Sequence, residues 1–315
     1  MLLYLHGVLS RSLRLFLALA KIMLPIMALV QLGQWLGWVD VLGHVFGPVM
    51  GWLNLPAQAA LIWMASVFVG VYGALAALAG LAGGLDITAG QFSALAAMVL
   101  FAHNLPVEQA IVRRAGASFW ATAGLRLGAA LVYGAAVSWT CHAMGWLSQP
   151  MAFEWLQGAE SSGAELSLWQ WLHGTAVSMA LTFVVITGLL ILLDVMQRCG
   201  LTRALTRALT PVLRWSGLEP QVAPVTMLGV LLGLSYGGAL IIEEAQRQQF
   251  SARTRFLALS WLSLSHSLIE DTLLLLAVGA NIGIVLVGRV ALTLLIVAAL
   301  ARLWPEPAAA RAGSA

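Results

Sequence analysis

The chain of 315 residues is 61% hydrophobic and only 9% charged, with a formal net charge of +3. A soluble domain carries about 25% charged residues, so a water-facing surface of this size is excluded, and the mean hydropathy of +0.91 points to lipid as the main solvent. The arginines lie in loops between apolar runs, which gives no case for nucleic acid as a partner.

In chain order, residues 15–36 form a first apolar segment. Arg11, Arg14 and Lys21 interrupt the character a secretory leader would need, so the segment reads as a retained span. An amphipathic stretch follows at 39–53, then a span at 57–82, an interrupted segment at 87–113 and a span at 117–145. The second half reads the same way, at 172–193, 201–215, 220–242, 254–279 and 280–303. The runs 57–85, 127–153, 166–193 and 220–242 hold no Asp, Glu, Lys or Arg. Each exceeds the roughly 20 residues that a helix needs to cross the hydrocarbon core. Lipid leaves backbone groups to be satisfied within the segment, and the runs lack the alternation of a barrel strand, so the spans are helices. Cys141 and Cys199 sit in or beside apolar segments and indicate neither a disulfide nor a metal framework.

The two halves match at an offset of 163. Gly37 falls on Gly200, Pro48 on Pro211, Trp52 on Trp215, Gly70 on Gly233, His103 on His266, Gly116 on Gly279 and Arg126 on Arg289. Rare residues coinciding in one register indicate duplication. The fold class is therefore all-α, a polytopic membrane protein of two repeats at 1–145 and 169–304, with a linker at 146–168 and a disordered tail at 305–315. The stretch 146–167 has no Lys or Arg and carries Glu154, Glu160 and Glu165, so it reads as external. Arg11, Arg14, Arg113, Arg114, Arg198, Arg203, Arg207 and Arg214 read as cytoplasmic, as do both termini. These assignments require three crossings per repeat, hence inverted repeats, with the interrupted segment entering and leaving on one side. Arg247, Arg253 and Arg255 then fall on the wrong side. Inverted repeats with broken helices are a recurring transporter design.

Polarity within the membrane region concentrates in the interrupted segments. The first holds His103, Asn104 and Glu108, ahead of which Pro106 marks a break; the second holds Ser265, His266, Ser267, Glu270 and Asp271. Ionisable groups at membrane depth are costly and usually face a cavity or a partner. Substrate binding is assigned to His103, Asn104, Glu108, His266, Ser267, Glu270 and Asp271, with His103, Glu108, His266 and Glu270 as candidate metal ligands. Glu243 and Glu244 read as an interfacial pair, and the glycines of 70–84 and 229–238 as close helix packing. Tryptophans 35, 38, 52, 139, 146 and 215 lie near span ends, as membrane anchors do.

Several activities find no support. Gly233-Leu234-Ser235-Tyr236-Gly237 matches a nucleophile elbow only formally, because it lies in an apolar span instead of a strand–helix turn. No phosphate-binding loop and no His-Glu-x-x-His occur. No enzyme activity and no cofactor are expected.

Phe92-Ser93-Ala94-Leu95, His103-Asn104-Leu105-Pro106-Val107-Glu108 and Arg113-Arg114-Ala115-Gly116 resemble the nucleoside-recognition, or Gate, domain. The stretch with Pro48, the Leu55-Pro56 before a glycine-rich span, and a second copy from Pro211 through Gln249-Phe250-Ser251 to His266 fit the same pattern. The resemblance runs from about Gly37 to Gly288. It implies kinship with the membrane part of ferrous-iron transporter B, with spore maturation proteins and, distantly, with concentrative nucleoside transporters. A bacterial inner-membrane location and paired inverted repeats follow from it. The Pro-Cys typical of the iron transporters is absent, since Val107 follows Pro106 and Leu268-Ile269 stand in the second copy. The expectation is a secondary transporter or permease for a small polar solute or a divalent cation. The alternative is a non-transporting assembly or sensing protein of the spore-maturation type, acting with a membrane-protein partner or as a homo-oligomer.

Overall fold

The structure is a computed structural model that describes residues 2–153, 167–200, 204, 230 and 251–304. The segments expected at 201–215 and 220–242, the Ser235 motif, Glu243, Glu244, most of the external loop and the tail lie outside the described residues. Among the described residues the protein is all helix, with no strand beyond one isolated bridge between Thr88 and Pro150. Five helices among the described residues are long and apolar enough to cross a membrane: His6–Trp35, Ala89–Arg114, Phe119–Met144, Leu168–Leu192 and Gly283–Leu303.

The first half comprises α1 (Leu2–Trp35), α2 (Trp38–Trp52), α3 (Ala59–Val69), α4 (Val71–Leu81), α5 (Ala89–Ala102), α6 (Leu105–Arg114) and α7 (Phe119–Met144). The described part of the second comprises α8 (Leu168–Arg198), α9 (Ala252–Ser265), α10 (Glu270–Ala277) and α11 (Arg289–Leu303), the last entered through a wide helical turn at Gly283–Gly288. Antiparallel packing of α1 on α8 is fixed by the Arg11–Asp194 ion pair, 2.7 Å, and by an edge-on contact of Phe16 with Phe183. Leu9, Leu13 and Leu17 on α1, Val184 on α8 and Leu295 on α11 stay exposed, a lipid-facing pattern instead of a water-facing one.

Residues 57–82, expected as one span, are two short helices folded about Gly70. Gly70 adopts φ 108°, ψ −175°, a conformation only glycine reaches without strain. The pair starts and finishes at one end of the bundle. Gln91 donates to the Asn54 carbonyl ahead of α3 (2.8 Å) and forms a capping box with Thr88 beyond α4. Asn54 also bonds Ser138 near the end of α7. This hairpin, not the interrupted segment, is the element that turns back.

The interrupted segment instead runs the whole length of α7. Ala89 and Gly90 bond the backbone of Gln149 and Leu147, beyond the C-terminus of α7. At the other extreme Gln109 of α6 bonds Thr122, in the first turn of α7. The break between α5 and α6 lies midway, at His103 and Asn104. Pro106 sits just after it, in the first turn of α6, where its missing N–H costs nothing. The break of α9–α10 comes at His266 and Ser267, and α9 lies along α11 in the same antiparallel sense: Arg253 bonds the Trp304 and Ala301 carbonyls, and Arg289 those of Leu264 and His266.

Local geometry recurs at the offset of 163. Thr88 and Ser251 cap α5 and α9. Asn104 and Ser267 take φ 48° and 49°, and Gly116 and Gly279 take 95° and 106° at the ends of α6 and α10. There Gly116 and Ala117 bond the Arg113 and Val112 carbonyls, and Gly279 and Ala280 those of Leu276 and Leu275. This is the glycine-terminated end that satisfies orphan carbonyls of a helix.

Candidate functional site

Breaking a helix strands the carbonyls of its last turn, and inside a membrane no water replaces the lost partners. Here two arginines and two histidines take them. Arg126, on α7 and fully buried, donates through Nε to the Phe101 carbonyl (2.7 Å) and through Nη2 to that of His103 (2.8 Å). Arg289, equally buried at the start of α11, donates to Leu264 (2.8 Å) and His266 (3.1 Å), and reaches across to Leu100 (3.0 Å). His103 Nδ1 lies 3.1 Å from the Val99 carbonyl, and His266 Nδ1 lies 3.0 Å from that of Leu262. Each bond of one half is the other's shifted by 163 positions, apart from the crossing to Leu100.

With their Nδ1 atoms so held, the two rings turn Nε2 toward one another. His103 Nε2 and His266 Nε2 are 3.0 Å apart, and the ring centres 4.7 Å. Glu108 Oε2 lies 3.1 Å from His266 Nε2, and Oε1 lies 3.5 Å from His103 Nε2. Asp271 Oδ2 lies 3.4 Å from His103 Nε2. The carboxylates come from the first turns of α6 and α10, where the resuming helices present their electropositive ends. All four side chains are buried. Two buried histidines and Glu108 offer ligand atoms that lie within 4.8 Å of one another.

One asymmetry breaks the correspondence. Arg126 Nη1 pairs with Glu108 at 2.6 Å. In the other half Arg289 Nη1 and Asp271 Oδ2 are each buried without a hydrogen-bond partner among the described residues.

Of the residues singled out in the sequence, His103, Glu108, His266 and Asp271 therefore meet. Asn104 and Ser267 supply the left-handed step that restarts each helix, and their carbonyls accept from the backbone N–H of Glu108 and Asp271. Neither side chain joins the cluster. Glu270, expected as a ligand, is half-buried beside Asp271, and no hydrogen bond or ion pair links it to the histidines. Ser265 lies one residue before His266 and bonds Thr293 on α11, 2.9 Å away. Arg126 and Arg289 were visible in the sequence only as a coincidence at the repeat offset. Their signal was a full charge inside an apolar span, which lipid tolerates only beside a partner.

Helices of membrane-spanning length around a buried polar centre define the class: the chain is an all-α polytopic membrane protein. It is 24% identical over 288 residues to a protein of Bacillus subtilis (strain 168) described as "Uncharacterized membrane protein YvoD", with 91% of each chain covered. No protein-family model matches the chain, and no solved structure matches it.

Proposed function

We propose that the protein is a secondary transporter of a small cationic solute in the bacterial inner membrane, built from two inverted Gate-like repeats. The observation that carries this reading is the meeting of His103 Nε2 and His266 Nε2, with Glu108 and Asp271 around them, where two broken helices cross. Broken helices at mid-membrane are where secondary transporters bind substrate and coupling ion. Among the smaller solutes left open by the sequence, a cation suits a centre to which both carboxylates and both Nε2 atoms contribute.

The topology supports the inversion. A unit with one turning-back hairpin (α3–α4) and three crossings (α1, α5–α6 and α7) has an odd number of crossings, so its second copy enters from the opposite face. With α9–α10 as a crossing, Arg253 and Arg255 move to the side of Arg113 and Arg114. Proximity agrees, since a Cβ on Gly116 would lie 3.3 Å from the Arg255 guanidinium. The positive residues then gather on one face, as a cytoplasmic side requires.

Reconstitution in liposomes tests the reading. Imposed gradients of divalent cations, with an indicator inside, should give flux in the parent and none in the His103→Gln/His266→Gln double variant. Equal background leak in both, with a partner protein co-purifying from the native membrane, would instead favour an assembly role.

A further inference from the structure

Resting on that transport reading, we infer that the cluster is a transit site for a first-row divalent transition metal, ligated by His103 Nε2, His266 Nε2, Glu108 and Asp271. A carbonyl oxygen can only accept a hydrogen bond. The Val99 and Leu262 carbonyls beside the two Nδ1 atoms therefore place the ring proton on Nδ1 in both histidines. Both Nε2 atoms are left with a lone pair, and these point at one another across 3.0 Å. The oxygens around them, from Glu108 and Asp271, are acceptors too. Acceptors this close without a donor repel, and a positive centre between them removes the conflict.

A single shared proton would satisfy the two nitrogens and nothing more. Asp271 Oδ2 would stay buried without a hydrogen bond from the described residues, as it is now. A dication engages nitrogens and oxygens together. With metal–nitrogen bonds of about 2.05 Å, nitrogens 3.0 Å apart subtend roughly 95° at the metal, a cis pair in a five- or six-coordinate site. The donor set selects among ions. Imidazole suits the first-row metals from iron to zinc, whereas magnesium and calcium prefer all-oxygen shells. Thiolate, the mark of a copper(I) site, is missing: Cys141 packs beside Gly90 at the far end of α7, and Cys199 follows α8. Arg126 orients Glu108 by holding Oε2 and leaves Oε1 toward His103. Two guanidiniums beside the ion weaken its binding relative to a resident structural metal, which is what passage requires of a site that must also release.

The test is equilibrium binding to the full-length protein in detergent, independent of flux. Titration with Co(II) should give saturable ligand-field absorption at one ion per chain, displaced by Zn(II) and unaffected by excess Mg(II). His103→Gln, His266→Gln and Asp271→Asn should each weaken Co(II) at least about tenfold. Glu270→Gln, adjacent but outside the cluster, should bind as the parent does. Melting curves without metal separate lost ligation from lost folding. Should the histidine variants not fold, X-ray absorption of the Zn(II)-loaded parent decides, since two imidazoles must appear in its outer-shell scattering. Absence of saturable binding, binding indifferent to both histidines, or a zinc shell without imidazole overturns the inference. Binding without flux would leave the metal site standing and remove the transporter. Flux of another solute without metal binding would do the reverse.

Discussion

Arg126 takes over contacts that an unbroken helix would have supplied to itself, and it also neutralises Glu108. Removing one partner of a buried pair leaves a bare charge, so Arg126→Met is expected to cost about 3–5 kcal/mol. Arg126→Lys should recover only part of this, because an ammonium keeps the charge but cannot span three acceptors lying in different directions. Chemical or thermal unfolding in detergent would rank the three proteins, and equal stability of Met and Lys variants would show that charge is irrelevant there. At this scale the histidines and carboxylates were legible because polar residues are so scarce in the membrane region. The arginines' task was not. It depends on carbonyls set free by the break at His103 and Asn104; Pro106 marks that break in the sequence but does not say which side chains take up the freed groups.

Two kinds of broken helix do different work. The α3–α4 hairpin ends its first arm against the α5–α6 break: the Ser66 carbonyl accepts from both Gly70 and Asn104, at 2.8 and 2.9 Å. Gly70→Ala should lose about 1–3 kcal/mol, because φ 108° is nearly closed to residues with a Cβ. Gly84→Ala, with open space around its Cβ, is the control and should melt with the parent. The second break holds without proline. Ile269, the counterpart of Pro106 at the repeat offset, has φ −89° and donates no hydrogen bond among the described residues. Ile269→Pro is thus expected to stay within about 1 kcal/mol of the parent, whereas Leu274→Pro inside α10 should lose about 3 kcal/mol or more. If both prolines were equally damaging, the two breaks would not be equivalent. The sequence made 57–82 look like a single span because length and hydropathy suffice for one. Gly70 is one glycine among several there, and only its φ distinguishes it.

For the whole molecule, arginine placement decides between arrangements. In the first unit the returning element is the α3–α4 hairpin and not the interrupted segment expected from the sequence; the second unit's counterpart at 220–242 lies outside the described residues. A crossing by the interrupted segment removes the discord over Arg253 and Arg255. In a background with Cys141 and Cys199 replaced, an impermeant maleimide applied to intact cells should label Trp146→Cys and spare Arg114→Cys and Arg253→Cys. Labelling of one arginine position but not the other would break the inverted arrangement. Labelling of both, with Trp146→Cys spared, would keep the fold and turn it over in the bilayer.

On the proposed transport reading, inverted halves would offer an ion near-equivalent surroundings from either face, and their symmetry would supply no preferred direction. Preference has to come from where the halves differ. Arg126 is closed on Glu108, while Arg289 Nη1 and Asp271 Oδ2 stand unjoined. A carboxylate already claimed by its arginine yields less readily to an arriving ion than one that is not. The Asp271 half is accordingly the compliant one, and rectification of the current, if the two directions differ in rate, is expected to vanish in Asp271→Glu, where the halves become chemically alike.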